Sequence, residues 1–350
     1  MRILVTGGAG FIGSHTCVAL LAKGYEIILL DSFVNSSEKS LKRVIEITKI
    51  EGKNNSPNIE IYKGDIRDEK ILEKIFSDSE ISNKPIEAVL HFAGLKSVAE
   101  SVINPFLYWD INVNGTIKLL LVMDRYKCRT IIFSSSATIY GLSNDQPILE
   151  NSKIKPTNPY GQTKSTIEQL LNDVYKSNPE RWRVANLRYF NPLGSHPSGL
   201  IGEAPLDVPN NIFPYLIQVA AGDIEVLTIF GNDWPTKDGT GVRDYIHVMD
   251  VADGHLAALE KLLKSDPQII NFNLGTGVGT SVLDLIKTFE SVTDVNVPYV
   301  FSSRRKGDVP TVIADNSLAI SSLNWAPKKS IEQMCTDGWK WKLLNPKGYL

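Results

Sequence analysis

Long hydrophobic runs are absent from this sequence, and no stretch approaches the roughly 20 apolar residues that a membrane-spanning helix needs. Neither sign of charge is in large excess, because the 350 residues carry a net charge of −2 at pH 7. No basic excess is therefore present to favour nucleic acid or an anionic membrane surface as a partner. The length is typical of about two domains with a sizeable core.

Cysteine is scarce as well. Cys17, Cys128 and Cys335 form an odd, scattered set without the spacing of metal ligands. We expect reduced packing thiols, no metal site and a cytoplasmic location. The chain also enters its first predicted strand at once, which leaves no room for a signal peptide.

Glycine, by contrast, is concentrated near the start of the sequence. An apolar run at residues 3–6 predicts a buried parallel strand, and helical periodicity predicts a helix over Phe11–Ala22. Glycines between a strand and a helix N-terminus are typical of a pyrophosphate site, where free N–H groups and the helix dipole converge. The candidate cofactor-binding residues in this loop are Gly7, Gly10, Phe11, Ile12 and Gly13.

A carboxylate ends the second predicted strand. Asp31 lies 18 residues after Gly13, close to the spacing of about 20 in dinucleotide sites. It would accept both ribose hydroxyls and repel a 2′-phosphate, which favours NAD over NADP; the alternative is a capping Asp in a tight turn. The polar loop that follows is expected to touch the adenosine through Ser32, Asn35 and Ser36.

Two further strand ends carry candidate cofactor contacts. Asp65, next to Ile66, either reaches the adenine amino group or caps a helix at 69–76, and the sequence leaves both open. Lys96 either meets a phosphate or ribose or is a solvated loop lysine. Asn112 is unfavourable inside the helix predicted over 105–123, so we expect it to bond something specific. The fourth strand ends in Phe92, Ala93 and Gly94, where a nucleotide backbone could pass.

The candidate catalytic residues are Ser136, Tyr160 and Lys164. Ser136 follows the fifth predicted strand, and Tyr160 and Lys164 are four apart, on one helix face. An ammonium within about 4–6 Å lowers a phenol pKa by about 1–3 units, so Tyr160 could accept a sugar hydroxyl proton while Lys164 holds the nicotinamide ribose. The alternative is a surface pair on an amphipathic helix, which the preceding dinucleotide site disfavours.

The second half is rich in proline and loops. We predict an α/β protein with a doubly wound Rossmann-type parallel sheet of about seven strands and a smaller α/β substrate domain. The domain boundaries are placed at 1–188 and 189–350, with 243–270 returning to the first domain. Arg243 and Arg305 could clamp a nucleotide diphosphate, or lie in solvated loops.

The runs at 6–15 and 112–115, with Tyr160-x-x-x-Lys164, resemble the fingerprints of the extended short-chain dehydrogenase/reductase superfamily. More narrowly, the runs at 92–96, 134–141, 187–192, 209–211, 239–248 and 304–308 resemble the UDP-glucose 4-epimerase family. The resemblance spans essentially the whole chain.

This resemblance implies an activity and a cofactor. A tightly bound NAD oxidises C4 of the hexose while Tyr160 takes the hydroxyl proton, and reduction of the 4-keto sugar at its other face interconverts UDP-galactose and UDP-glucose. It further implies galactose metabolism, a homodimer, and Phe190 beside the nicotinamide. The substrate-binding residues so implied are Lys96, Ser136, Tyr160, Asn191, Asn211, Arg243, Tyr245, Arg305 and Asp308.

Two alternative functions share this fold and cofactor. Another NAD-dependent sugar-nucleotide enzyme, such as a 4,6-dehydratase or a UDP-uronate epimerase, is the nearer one, but a dehydratase needs an acid and a base where Ala137 and Thr138 stand. A non-catalytic NAD sensor tends to lose the Tyr or the Lys. Val312 is smaller than the Tyr of some relatives, which predicts tolerance of N-acetylated UDP-hexosamines.

Overall fold

The computed structural model of the chain describes residues 1–52, 57–143, 146–204, 211–305 and 307–350. Asn210 and Lys306, in two of the runs that resemble the family, lie outside the described residues. In chain order the strands are β1 (Arg2–Thr6), β2 (Glu26–Asp31), β3 (Ile59–Lys63), β4 (Ile86–His91), β5 (Thr130–Ser136), β6 (Arg183–Tyr189), β7 (Asn191–Leu193), β8 (Leu227–Phe230), β9 (Val242–His247), β10 (Gln268–Leu274), β11 (Gly279–Ser281), β12 (Tyr299–Ser302) and β13 (Thr311–Val312).

The helices alternate with these strands. They are α1 (Phe11–Ala22), α2 (Glu38–Ile50), α3 (Glu69–Ile81), α4 (Val98–Ile103), α5 (Pro105–Tyr108), α6 (Gly115–Arg125), α7 (Pro159–Ser177), α8 (Ile212–Ala220), α9 (Val248–Lys264), α10 (Val282–Thr293), α11 (Ser317–Leu323) and α12 (Ile331–Leu344). A π-helical segment, Trp109–Asn114, joins α5 to α6, and a 3-10 turn, Ala137–Tyr140, follows β5.

A parallel sheet of seven strands, in the order β3-β2-β1-β4-β5-β6-β10, forms the centre of the molecule. Its five inner strands are buried on both sides: Ile3 and Val5 of β1 pack into a core with α1, α2 and α9, and Leu4 packs into a second core with α3, α6 and α7. Helices therefore cover both faces, which is the doubly wound arrangement that the sequence predicts. The strand order reverses between β1 and β4, where such sheets bind ligands.

A smaller α/β region is built around a four-stranded sheet and a β8–β12 pair. β9 lies centrally in the four-stranded sheet, next to β7, β11 and β13. Phe289, Phe213 and Trp339 pack in its core. Of the segment 243–270, β9 belongs to this sheet, whereas α9 packs against α1 and β10 joins β6 in the large sheet.

Some local expectations differ from the structure. The helix predicted over 105–123 is interrupted by the π-helical segment, and β5 runs on to Ser136. Among the residues that the structure describes, no helix is long and apolar enough to cross a membrane, and no group of three or more His, Cys, Asp or Glu could hold a metal ion.

Candidate active site

The glycine loop between β1 and α1 leaves no room for side chains. Gly7 has φ +69°, and a Cβ there would come within 2.6 Å of the Ala93 nitrogen. A Cβ on Gly13 would come within 2.6 Å of the Gly7 oxygen. Gly10 caps α1 without any side-chain hydrogen bond, so the first helical turn meets the loop with its backbone amides. This bare, positively polarised cradle fits the pyrophosphate of a dinucleotide.

Asp31 ties the glycine loop to the loop after β2. Its carboxylate accepts bonds of 2.9 Å from the backbone N–H of Ala9, the backbone N–H of Phe33 and the hydroxyl of Ser36. The side chain is 7% exposed and lies at the carboxyl edge of the sheet. Ser32 and Asn35 are exposed on the same loop. The loop after β2, where the adenosine ribose is predicted to bind, thus has an acidic residue held in place by three hydrogen bonds.

Asp65 does not cap the following helix. The N-cap of α3 is Asp68, which accepts from the N–H of Lys70, so the capping interpretation of Asp65 was wrong. Asp65 instead receives the guanidinium of Arg67 at 2.6 and 2.9 Å, which holds the pKa of its carboxyl below the usual range. Its role toward adenine stays a prediction, as does that of the neighbouring buried Ile66.

Asn112 bonds specifically, as its unfavourable helical position predicts. Its amide nitrogen donates to the Leu95 carbonyl and the Thr163 hydroxyl, each at 3.1 Å, and its oxygen accepts from the Leu95 N–H at 2.8 Å. The side chain is 1% exposed, so its polar capacity is used inside the chain. Asn112 thus holds the loop after β4, which carries Phe92, Ala93 and Gly94, against the helix that carries Tyr160.

Lys96, on that loop, forms an ion pair of 3.0 Å with Glu203, a residue 107 positions further along the chain. The Lys96 side chain is 54% exposed and Glu203 only 12%. A lysine in such a pair can exchange its carboxylate for a phosphate or ribose oxygen, so the pair is compatible with the predicted ligand contact.

The structure brings Ser136, Tyr160 and Lys164 together at the carboxyl edge of β5, in the first turns of α7. All three are buried, with 5–8% of each residue exposed. The ammonium of Lys164 donates to the Ser134 carbonyl at 2.7 Å and lies 5.9 Å from the centre of the Tyr160 ring. Ser136 Oγ accepts from both the N–H and the hydroxyl of Thr138, at 3.2 and 2.9 Å, which leaves its own proton free to point at Tyr160.

The pKa of Tyr160 differs from the expectation. Burial raises it to about 12, and the hydrogen bond from Ser136 is what opposes this rise; Lys164 is not among its causes. Burial also lowers the pKa of Lys164 to about 7, against the raising effect of Glu168. Desolvation therefore outweighs the Tyr–Lys attraction that sequence spacing suggests, because both groups are in the dry interior.

A buried ion pair behind the catalytic cluster is not apparent from the sequence. Arg188, on β6, contacts Glu168, one turn beyond Lys164, at 2.6 and 2.9 Å. Ser135 donates to the same carboxylate at 2.5 Å, and Tyr140 accepts from Arg188 at 2.9 Å. Only the register of β6 brings Arg188 to α7, so no local pattern could have revealed it.

The predicted substrate residues line the smaller region. Arg243 Nη2 lies 3.2 Å from Asp308, Arg305 lies 3.6 Å from the same carboxylate, and the Arg305 guanidinium covers the Phe230 ring at 4.4 Å. Asn211 is the N-cap residue of α8 and makes no side-chain capping bond. Tyr245 is buried on β9, and Asn191 begins β7, which pairs with it.

Phe190 and Val312 belong to one small apolar cluster. Phe190 is buried there with Tyr140 and Ala314, and Val312 is partly buried against them. Ala137, directly after Ser136, also packs on this cluster, so the cluster lies beside the end of β5. The role of Val312 toward a substrate stays a prediction.

Comparisons with known proteins agree with this geometry. A family profile described as GDP-mannose 4,6 dehydratase matches residues 4–338. The chain is 52% identical to the UDP-glucose 4-epimerase of Bacillus subtilis over 349 residues, covering 100% of this chain and 99% of that protein. It is 51% identical to UDP-glucose 4-epimerase 2 of Arabidopsis thaliana, covering 99% and 96%.

Solved structures are similar throughout. The UDP-glucose 4-epimerase of Bifidobacterium longum, in complex with NAD+ and UDP, superposes with a TM-score of 0.92 at 44% identity, over 99% of this chain and 100% of that one. The enzyme of Stenotrophomonas maltophila, with NAD and formylated UDP-arabinopyranose, gives 0.93 at 44% identity over 99% of each chain. The glycine cradle, the buried Ser–Tyr–Lys cluster and these full-length similarities lead to one assignment: the chain belongs to the UDP-glucose 4-epimerase family of the extended short-chain dehydrogenase/reductase superfamily.

Proposed function

We propose that the protein is an NAD-dependent epimerase that interconverts UDP-galactose and UDP-glucose at C4 of the hexose. The observation that carries the proposal is the position of Tyr160, which is buried in the first turn of α7, hydrogen-bonded to Ser136, with its ring centre 5.9 Å from the Lys164 ammonium. The relatives named as epimerases match the chain over its whole length, which favours epimerisation over a 4,6-dehydratase.

NAD, when bound, supplies the reversible two-electron oxidation of the hexose C4 carbon. Its residues on this chain are the cradle around Gly7 and Gly13, Asp31 for the adenosine ribose, and Lys164 and Phe190 at the nicotinamide end. The support for a pyrophosphate site is the bare backbone of the cradle, which has no room for a Cβ at Gly7 or Gly13.

Tyr160 accepts and returns the proton of the C4 hydroxyl. Its phenolate is stabilised by the Ser136 hydroxyl, whose oxygen is already saturated by two donors from Thr138. Lys164, whose ammonium is held by the Ser134 carbonyl and whose pKa burial lowers to about 7, is proposed to hold the nicotinamide ribose rather than to lower the pKa of Tyr160. The same Tyr160 takes the proton in one half of the cycle and returns it in the other. Because the hydride taken from C4 would also be returned to C4, the cycle would consume no reductant.

Arg243, Arg305, Asn211 and Asp308 are proposed to hold the UDP part of the substrate. Arginine forks bind diphosphate oxygens in pairs, and the carboxylate of Asp308 keeps both guanidinium groups near the sugar-nucleotide cleft. A firm hold on the nucleotide lets the 4-keto hexose turn over without leaving the site.

The test is a product assay on purified protein without added NAD. UDP-galactose should yield UDP-glucose, and the ultraviolet–visible spectrum should show no accumulated NADH. A 4-keto-6-deoxy sugar as the product would instead establish a dehydratase, and bound NAD without turnover would establish a sensor.

A homodimer is proposed from an apolar surface. Val102, Ile103 and Phe106, on α4 and α5, are 63%, 76% and 89% exposed. Leu121, on α6, is 47% exposed. Such a concentration of exposed apolar side chains is typical of an interface between subunits. Light scattering should give twice the 38.8 kDa mass of the chain, and Phe106→Glu should yield monomers.

The proposed setting is galactose metabolism in the cytoplasm. Its support is the three buried, unpaired cysteines, which suit a reducing compartment. Fractionation of the source cells with an antibody against the chain tests the location.

We further propose that UDP-N-acetylhexosamines are accepted. The support is the small side chain of Val312 in the wall around Phe190. Turnover of UDP-N-acetylgalactosamine under conditions in which UDP-galactose reacts is the expected result, and its absence would refute this proposal.

A further inference from the structure

A continuous chain of hydrogen bonds runs through the interior from the glycine loop to the catalytic helix. Thr6, the last residue of β1 before the glycines, contacts His91 Nδ1 through its hydroxyl at 2.7 Å. His91 Nε2, on the other side of the ring, contacts the Thr116 hydroxyl at 2.9 Å. Thr116 donates to the carbonyl of Asn112 at 2.6 Å. All four residues are at most 1% exposed, so the whole chain is shielded from water.

The direction of every bond in this chain is determined. The single proton of the Thr116 hydroxyl is committed to the Asn112 carbonyl, so its oxygen can only accept from His91 Nε2. His91 Nδ1 must then be unprotonated and accept from the Thr6 hydroxyl. Thr6 Oγ1 in turn accepts from the Ala93 N–H at 3.4 Å, so this hydroxyl both donates and accepts a hydrogen bond.

Burial keeps this imidazole neutral. The ring is fully enclosed, and desolvation together with the positive charge of Lys164 lowers the pKa of His91 to about 3. A neutral ring with one donor and one acceptor is what the two threonines need. His91 therefore connects them as a directional bridge, with the proton on Nε2.

The chain continues from Asn112 to the catalytic helix. The Asn112 amide donates to Thr163 Oγ1 at 3.1 Å, and the Thr163 hydroxyl donates to the carbonyl of Tyr160 at 2.8 Å. The Asn112 side chain packs closely against the loop after β4, since a Cβ on Gly94 would lie 3.0 Å from Asn112 Oδ1. The π-helical turn places both the carbonyl and the side chain of Asn112 in the network.

We propose that His91 is a positioning residue, which through Thr6 and Thr116 fixes the distance between the cofactor cradle and the catalytic Tyr160. This inference rests on the proposed epimerase function, because the elements whose spacing it fixes would carry the cofactor and the base. His91 touches neither ligand. Its effect is on the alignment of two elements that are far apart in the sequence, the end of β1 and the first turn of α7.

The first test replaces Thr116, which has nearly the same shape as valine. Thr116→Val removes both bonds at that site, whereas Thr116→Ser keeps the hydroxyl. With NAD content matched, Thr116→Val should lower kcat on the order of tenfold while KM for UDP-galactose stays within about twofold, because misalignment of bound groups slows the chemical step. Thr116→Ser should retain most of the wild-type kcat.

The control is His255→Asn. His255 is also fully buried and bonds one backbone carbonyl, that of Val251, but its Nε2 has no hydrogen-bond partner, so it bridges nothing. Its substitution should lower the melting temperature without the kcat-specific loss. A wild-type kcat in Thr116→Val, or an equal loss in Thr116→Ser, would overturn the inference. An inactive wild-type enzyme would instead overturn the proposed function itself.

A second measurement reads the bond directions in the wild-type protein and does not depend on the kinetics of a variant. Nitrogen-15 NMR of the wild-type holoenzyme separates the imidazole signals of the five histidines, and His91→Gln identifies the one that disappears. The His91 signal should show a proton on Nε2 and none on Nδ1. A proton on Nδ1, or on both nitrogens, would contradict the bond directions on which the inference stands.

Discussion

The proposed catalytic cluster (Ser136, Tyr160 and Lys164) and the proposed sugar-nucleotide cluster (Arg243, Arg305 and Asp308) differ in how firmly their side chains are held before a ligand binds. Tyr160 and Lys164 are buried, and Lys164 is held by a backbone carbonyl on the large sheet. Arg243 and Arg305 have side chains that are 19% and 61% exposed, and both are paired with Asp308, which is 29% exposed. One region is preorganised, whereas in the other an internal carboxylate stands in for the ligand's negative charge.

Because of this difference, we expect substitutions in the catalytic cluster to change kcat and substitutions in the sugar-nucleotide cluster to change KM. Groups fixed in a dry site act on charge that develops in the transition state, so changes there should appear in kcat. Cations that exchange one anionic partner for another contribute to ground-state binding, so changes there should appear in KM. Each of the following substitutions tests one side of this division.

Tyr160→Phe should have the largest effect. Removing the phenolic oxygen removes the proton acceptor, and kcat should fall by about 10²–10⁴. The variant should keep its NAD, since the ring remains in place. The comparison fails if the main change is in KM for UDP-galactose, measured by steady-state kinetics.

Gly7→Ala should cost the protein its cofactor. A Cβ there meets the Ala93 nitrogen at 2.6 Å, and φ is +69°. We expect NAD content in the purified protein, and activity with it, to fall at least tenfold. Gly24→Ala is the matched control, because Gly24 has φ +83° but no atom within 4 Å of the new Cβ. Equal loss of NAD in both variants would show that backbone strain, not close approach, is responsible.

Glu168→Gln should change stability and the pH profile together. It leaves Arg188 buried without a counter-charge, which destabilises a protein by about 3–5 kcal/mol. It also removes the charge that raises the pKa of Lys164, which burial has lowered to about 7. Because the ammonium is lost as pH rises through that pKa, the alkaline limb of kcat should move to lower pH.

The control for this variant is Asp173→Asn on the exposed side of the same helix, where Asp173 accepts a hydrogen bond of 2.9 Å from Gln169. Its melting temperature and pH profile should stay close to those of the wild type. An unchanged alkaline limb in Glu168→Gln would show that Lys164 does not set it.

Arg243→Lys should raise KM for UDP-galactose about tenfold and leave kcat within a few-fold, since a single ammonium replaces a two-pronged guanidinium. Arg304→Lys is the comparison, because Arg304 pairs with Asp233 and covers Trp234 rather than contacting Asp308. Its KM should not change. A loss of kcat rather than of affinity in Arg243→Lys would break the division between the two regions.

Val312→Tyr should have the smallest effect on the main reaction. Added bulk beside Phe190 should reduce turnover of UDP-N-acetylgalactosamine several-fold relative to UDP-galactose. The ratio of the two kcat/KM values measures this. An unchanged ratio would place the N-acetyl group away from Val312.

The sequence predicts most of what is local in this molecule. The helix Phe11–Ala22 has the predicted bounds, and the seven-stranded sheet, covered on both faces, was expected from the alternation of apolar runs and helical patterns. The candidate site residues that follow strand ends are predicted in the same way, and their contacts with a ligand stay predictions. The unfavourable place of Asn112 in a helix indicated a specific bond, and the structure shows three.

What was missed depends on residues far apart in the chain. The partner of Lys96 is Glu203, and the partner of Glu168 is Arg188, which only strand register brings near. Asp65 and Asp68 are both suitable caps by residue type, so only the backbone geometry distinguishes them. The pKa of Tyr160 was misjudged because spacing reveals the distance to Lys164 but not the depth of burial.

The position of β10 in the large sheet has a consequence for how the chain folds. β10 pairs with β6 along its full length, yet β7, β8 and β9 of the smaller region lie between them in sequence. Until β10 has been synthesised, β6 is an open sheet edge able to pair with other chains. Closing that edge requires a long loop to be ordered, which slows folding. A fragment that stops after β6 should therefore aggregate during expression, and the two regions should unfold in one transition.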